Sequence, residues 1–220
     1  MPTGATSLVP SEKRRAFLRR SIKTYMESVE VGEAYLASRG FDSDVAEQWQ
    51  LGVAVEPLAG HEPLRGRLII PYRTPNGPVG LVGRCIKNHD CKATGCPKYL
   101  AEPGERRRLY NVHALHSDSR SIVLTEGELD ALASDAIAGI AAVGVPGIKN
   151  WQPHFAYLFD GHDEVILAAD GDEAGSKLVK TVKDALSNVR VVTMPRGEDV
   201  NSYIATHGAE AFRELIDWKG

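Results

Sequence analysis

The sequence predicts an α/β fold in two parts: a mixed α+β N-terminal part followed by a C-terminal part built on a parallel sheet. Two observations predict it. From Arg120 onward, continuous apolar runs (SIVLT, GIAAVGV, EVILAA, VRVVT) alternate with amphipathic segments such as ELDALASDAIA and EAGSKLVKTVKDALSN. Apolar strands alternating with helices indicate a parallel sheet covered on both faces. Upstream, LGVAVEP, RLIIPY and PVGLVGR are separated by turn residues. Asn76-Gly77 between apolar runs marks a hairpin, so this middle region reads as antiparallel.

The elements follow in order. Residues 1–10 carry Pro, Gly, Ser and Thr without periodicity and are expected to be disordered. Ser11 is placed to cap a helix reaching Ser28, with Phe17, Leu18, Ile22 and Tyr25 on one face. Its other face carries Lys13, Arg14, Arg15, Arg19, Arg20 and Lys23; this is either a solvated face or a nucleic-acid contact. Helices are expected over Val31–Arg39, stopping at Gly40, and over Asp44–Gln50 after an N-cap at Ser43. Lys87 to Arg108 is polar and reads as irregular. In the C-terminal part WQPHFAYLF reads as a short helix, VRVVTMP as the last strand and AEAFRELIDW as the terminal helix. The expected division is a disordered start and basic helix over 1–28, a basic subdomain over 29–118 and a parallel-sheet domain over 119–220.

Charge divides along the same line. Residues 1–120 hold 18 Lys+Arg against 13 Asp+Glu, a net +5, and residues 121–220 hold 8 against 16, a net −8. A basic half joined to an acidic half suits a polyanion site beside a metal site. No apolar run is long enough to cross a bilayer, and MPTGATSLVPSEKRR has no secretory signal pattern, so a cytoplasmic protein is expected.

The acidic residues of the C-terminal part fall where such sheets gather functional groups, just past the strand ends. Glu126 follows SIVLT, Asp170 and Asp172 follow EVILAA, and Asp199 lies in the loop after VRVVTMP. In extended backbone, Asp170 and Asp172 would point to the same face. Their repulsion is relieved most simply by a divalent cation, and oxygen-only ligands select Mg²⁺ or Mn²⁺. Glu128 and Asp130 occupy a first helical turn, where the helix dipole favours acids whatever their function, and Asp172 could simply cap the next helix.

TEGELDAL and AADGDEAG resemble the glutamate and D-x-D motifs of the Toprim domain, a Rossmann-like metal-binding module shared by primases, topoisomerases and nucleases. YLASRGF, LGVA, RLIIPY, NGPVGLVGR, PKYL and LYNVHAL resemble, in order, the basic half of the DnaG-type primase catalytic core. The resemblance implies that Glu126, Asp170 and Asp172 are catalytic and that Glu126, Asp130, Asp170, Asp172, Asp199 and Asn201 surround the metal. It further implies that Arg67, Arg84 and Lys98 contact phosphates, with Arg106, Arg107 and Arg108 supplying a basic position otherwise missing. Asn201 stands where bacterial relatives usually carry a second Asp and is closer to the phage branch. The implied function is Mg²⁺-dependent synthesis of short RNA primers from nucleoside triphosphates on single-stranded DNA. With no counterpart of the family's zinc-binding or helicase segments in the sequence, the implied partner is a replicative helicase or a separate zinc-binding protein. A Toprim nuclease and a non-catalytic single-stranded-DNA-binding replisome module are the competing readings.

Cys85, His89, Cys91 and Cys96 are spaced C-x₃-H-x-C-x₄-C. That is not a standard zinc spacing, so reduced cysteines are expected here rather than zinc.

Overall fold

The computed structural model describes residues 9–102, 105 and 108–219, so most of the expected disordered start lies outside the described residues. The chain divides into two compact units, residues 1–33 with 46–105, and residues 34–45 with 106–220.

In the first unit, α1 (Glu12–Met26) starts at Ser11, whose hydroxyl accepts the Arg14 N–H at 3.2 Å. Leu18, Ile22 and Tyr25 are buried along it. Much of its basic face is committed to the protein: buried Arg15 donates to the Asn76 carbonyl at 2.8 Å, Arg14 pairs with Glu102, and Arg19 pairs with Glu12. Lys13, Arg20 and Lys23 stay exposed. The helices α2 (Glu33–Ser38) and α3 (Ser43–Gln48), whose residues 34–45 belong to the second unit, are each about one and a half turns long. The cap before α3 is Asp42, which accepts the Val45 N–H at 2.8 Å, and not the expected Ser43.

Strands β1 (Gly52–Val53), β2 (Arg67–Thr74), β3 (Gly77–Cys85) and β4 (Tyr99–Ala101) form an antiparallel sheet in sequence order. Thr74 pairs with Gly77, so Pro75 and Asn76 make the hairpin loop, one step earlier than Asn76-Gly77 suggests. β4 lies in the segment expected to be irregular; its three residues are too few to show alternation. Leu18, Tyr25, Ala54, Leu64, Ile69 and Leu81 form the core of this unit.

A polar chain runs through that unit. The Tyr25 hydroxyl lies 2.8 Å from His61 Nδ1, His61 Nε2 lies 2.7 Å from Glu102 Oε1, and Arg14 closes the chain on Glu102. Burial alone would raise the Glu102 carboxyl, but the His61 and Arg14 bonds outweigh it and hold the group below its usual range. Glu102→Ala leaves a buried imidazole without its acceptor and is expected to destabilise the protein by about 2–3 kcal/mol. The depressed acid contributes its full stabilisation above its ordinary pKa of 4.5 and loses it as pH falls through the folded value. Urea denaturation from neutral to acid pH should therefore show the difference between wild type and Glu102→Ala shrinking with acidity.

The second unit carries β5 (Ser121–Thr125), α4 (Glu128–Ala136), β6 (Ala142–Gly144), β7 (Glu164–Ala169), α5 (Glu173–Ala185), β8 (Val189–Thr193), α6 (Val200–His207) and α7 (Ala209–Leu215). The expected short helix WQPHFAYLF is a 3₁₀ helix over Pro153–Phe159. All strand pairs of the sheet are parallel, in the order β6-β5-β7-β8. Ile122, Leu124, Val143, Val165, Leu167, Leu178 and Val182 fill the core between the sheet and its helices. The LYNVHAL segment joins this unit: Tyr110 exchanges backbone hydrogen bonds with Gly144 at 2.9 and 3.1 Å. Buried Asn111, in left-handed backbone, donates to Asp135 at 2.7 Å and to the Ala142 carbonyl at 2.9 Å.

Candidate metal centre

In the order β6-β5-β7-β8, the chain leaves β5 to one side and returns on the other. The sheet therefore reverses its winding between β5 and β7, and the C-terminal ends of those two strands form the switch point where such sheets gather ligands. Glu126 is the first residue after β5 and Asp170 the first after β7. The two are joined directly: Glu126 Oε1 accepts the Asp170 backbone N–H at 2.9 Å.

The D-x-D segment turns at Gly171, although Asp172 itself is extended. The Asp172 N–H turns back onto the Asp170 carbonyl at 2.8 Å, and the two carboxylates separate in environment, Asp170 half-buried and Asp172 exposed. Asp172 also caps α5, its Oδ1 accepting the Gly175 N–H at 2.9 Å. Asp199 caps α6 in a reciprocal box: its Oδ1 accepts the Ser202 N–H at 2.7 Å and the Ser202 hydroxyl accepts the Asp199 N–H at 2.9 Å. The structure has α6 here, where the sequence pattern suggests only a loop. The signal was an Asp three residues before a Ser, a variant of the capping pattern.

Electrostatics bind these residues into one cluster. Burial pushes the Asp170 carboxyl up to about 8, and the charges of Asp130, Glu126, Asp199 and Asp172 add to the rise. Glu126 is also raised by burial; the Asp170 N–H bond opposes this and the Asp172 charge adds to it. Asp170 Oδ1 is buried and has no hydrogen-bond partner among the described residues. A buried carboxylate oxygen with no donor, set among four further carboxylates, is what a hard divalent cation would satisfy, and its oxygen-only surroundings fit Mg²⁺ or Mn²⁺. The residues present therefore fit the metal.

Two of the expected metal neighbours are occupied otherwise. Asn201 is 1% exposed; its amide nitrogen donates to the Arg39 carbonyl at 2.8 Å and its amide oxygen faces the Arg39 guanidinium at 3.4 Å. Its side chain is thus turned to Arg39 at both ends of the amide. Asp130 accepts the Asn201 backbone N–H at 3.0 Å, which places its charge at the N-terminus of α6. Its negative charge still acts on Asp170. Arg39, not singled out from sequence, holds Asn201 and lies 3.9 Å from Asp199.

The expected phosphate-binding residues are unevenly disposed. Lys98 is exposed. Arg67 is 8% exposed and donates to the carbonyls of Pro97 and Gly83 and to Cys96 Sγ, so it faces the protein rather than a phosphate. Arg84 is buried and stacks on the Tyr99 ring at 4.9 Å. Arg108 is half-buried, and Arg106 and Arg107 lie outside the described residues. The three cysteines are free, as expected, and Cys85, His89, Cys91 and Cys96 gather with their ligand atoms all within 4.8 Å of one another.

A parallel sheet whose switch point carries a glutamate and a D-x-D turn defines a Toprim-type site, and the Toprim-like family matches residues 123–204. Gene 57 protein of Mycobacterium phage D29 is 48% identical over 122 residues, 56% of this chain and 80% of that protein. A DNA primase of Staphylococcus aureus is 29% identical over 83% of this chain, which spans 32% of that primase. The RNA polymerase domain of Mycobacterium tuberculosis primase DnaG, in complex with a double-stranded DNA oligomer bearing a 6-nucleotide overhang, superposes with a TM-score of 0.75. It is 21% identical and covers 97% of this chain and 83% of its own. The chain belongs to the same family as that phage protein, carries a Toprim-like segment and shares the fold of the DnaG catalytic core.

Proposed function

We propose that this chain is a primase catalytic core that makes short RNA primers on single-stranded DNA by Mg²⁺-dependent nucleotidyl transfer. The observation that carries the reading is the buried Asp170 Oδ1 at a strand switch point, without a hydrogen-bond partner among the described residues and ringed by Glu126, Asp172, Asp199 and Asp130. Asp170, Asp172 and Asp199 would hold the metal. When bound, Mg²⁺ supplies Lewis-acid stabilisation of triphosphate and pyrophosphate oxygens. Glu126 keeps Oε1 on the Asp170 N–H and offers its other oxygen to the metal or to the proton of the primer 3′-hydroxyl. The exposed Lys98, with Lys13, Arg20 and Lys23 of α1, would hold phosphates of template and nucleotide. On this reading residues 29–118 serve as the basic subdomain and 119–220 as the metal-binding domain. A replicative helicase or a separate zinc-binding protein would be the partner, in the cytoplasm of the host cell. Among the described residues, no helix is long and apolar enough to cross a membrane.

The test is template-dependent dinucleotide synthesis on mixed single-stranded templates, with and without candidate partners. Wild type should form product only with template, nucleotides and Mg²⁺. Asp172→Ala should lower the rate at least ~100-fold. Cleavage of labelled single-stranded DNA by the protein and Mg²⁺ without nucleotides would establish a nuclease instead. Template binding indifferent to Mg²⁺, with no synthesis, would establish a non-catalytic module.

A further inference from the structure

The antiparallel sheet ends in a loop that leaves β3 at Cys85 and re-enters β4 at Tyr99. Its neck is closed by the Cys85 N–H on the Lys98 carbonyl at 2.9 Å. Within the loop, Asp90 organises a tight turn: its carboxylate accepts the N–H groups of Lys92 and Ala93 at 2.8 and 3.2 Å, and its carbonyl accepts from Thr94 N–H and Oγ1. This turn carries Cys91 back toward the neck, where Cys85 and Cys96 lie. Cys85 Sγ is 3.6 Å from Cys96 Sγ and 3.4 Å from His89 Nε2. All four ligand atoms lie within 4.8 Å of one another.

The Cys85–Cys96 and Cys85–His89 separations match the edges of a metal tetrahedron, and the remaining ligand atoms lie within about 1 Å of that spacing. With Zn–S about 2.3 Å and Zn–N about 2.0–2.1 Å, tetrahedral edges are about 3.8 Å for S–S and about 3.5 Å for S–N. No disulfide joins the cysteines, and an S–S bond would need about 2.0 Å. The surroundings also suit the ion. Three thiolates and a divalent cation leave one negative charge, and Arg67, paired across the ladder with Cys85, donates Nη2–H to Cys96 Sγ at 3.5 Å.

We propose that Cys85, His89, Cys91 and Cys96 hold a structural Zn²⁺ ion, which fixes this loop and with it the exposed Lys87, Lys92 and Lys98. All four coordination positions are filled by protein, so the site is structural and not catalytic. It is independent of the carboxylate centre and of the primase reading. It also gives Arg67 a purpose, orienting a thiolate ligand from the neighbouring strand.

The experiment is elemental analysis of the full chain purified without a metal-affinity tag, followed by replacement of the metal with Co²⁺. About one zinc per chain is expected, with the visible d–d and thiolate charge-transfer bands of tetrahedral cobalt after exchange. Cys91→Ser should lose zinc, whereas His89→Cys, which keeps four ligands, should retain it. Should Cys91→Ser fold poorly, alkylating the thiols of the wild-type protein under native conditions should release the metal to a chromogenic chelator. A wild-type protein that is isolated without zinc and takes up neither Zn²⁺ nor Co²⁺ would overturn the proposal. So would a Cys85–Cys96 disulfide formed in zinc-containing buffer.

Discussion

Replacing Asp170 by Asn should cut nucleotidyl transfer by ~10²–10³-fold or more, while raising the melting temperature of the metal-free protein at neutral and alkaline pH. The two effects share one cause. The Asp170 carboxyl is buried among other acids and is pushed from its ordinary 3.8 up to about 8. For an acid raised in this way, the folded state is penalised whenever the group ionises. The contribution to stability is full below 3.8 and is lost as pH rises toward the folded value of about 8. Asn keeps the shape and never ionises. The difference in melting temperature between variant and wild type should therefore grow with pH, by about 2–4 °C for each kcal/mol of repulsion relieved. Mg²⁺ should reverse the order, stabilising wild type by mass action and leaving the variant nearly unmoved. Thermal scans at several pH values, with Mg²⁺ and with chelator, read both effects. Identical pH profiles for the two proteins would sink the assignment of Asp170 as the buried acid at the metal.

Gly175→Ala is the second large effect, and its sign is what decides it. On helix propensity alone, Ala for Gly inside a helix stabilises by roughly 0.5–1 kcal/mol. Here a Cβ on residue 175 would stand 2.7 Å from Glu126 Oε1 and closer still to the Asp170 carbonyl oxygen. The side chain of Glu126 could yield, but the Asp170 backbone can move only with the turn that holds Asp172. A net loss of about 1–3 kcal/mol is expected. Mg²⁺-dependent stabilisation should fall with it, because Glu126, Asp170 and the first turn of α5 would part. Urea denaturation of wild type and variant, each with and without Mg²⁺, checks the sign. A variant more stable than wild type, with its Mg²⁺ response intact, would show that the start of α5 is not packed against the site.

Much of this was legible in the sequence. The parallel sheet could be read because its strands are continuous apolar runs, and Glu126, Asp170, Asp172 and Asp199 could be located because each follows such a run. Less could be read where side-chain commitments are made across elements far apart in sequence. Arg67 and Asn201 have the right chemistry for phosphate and metal, yet one turns to Pro97 and Cys96 and the other to Arg39. Periodicity carries no trace of those partners. The same blindness applied to the cysteines, whose irregular spacing hid a turn at Asp90 that draws them together.

Asp172 and Asp199 each do two jobs, presenting a charge to the cluster and capping a helix. As helix caps, Asp and Asn are about equal. Exchange of either for Asn would thus leave α5 and α6 properly started while removing a negative charge from the rim. On the proposed reading, a single such exchange would turn a catalyst into a folded, inert scaffold at little cost in stability. In a variant of that kind, intact expression and intact architecture would carry no information about turnover; the residue at these two caps would.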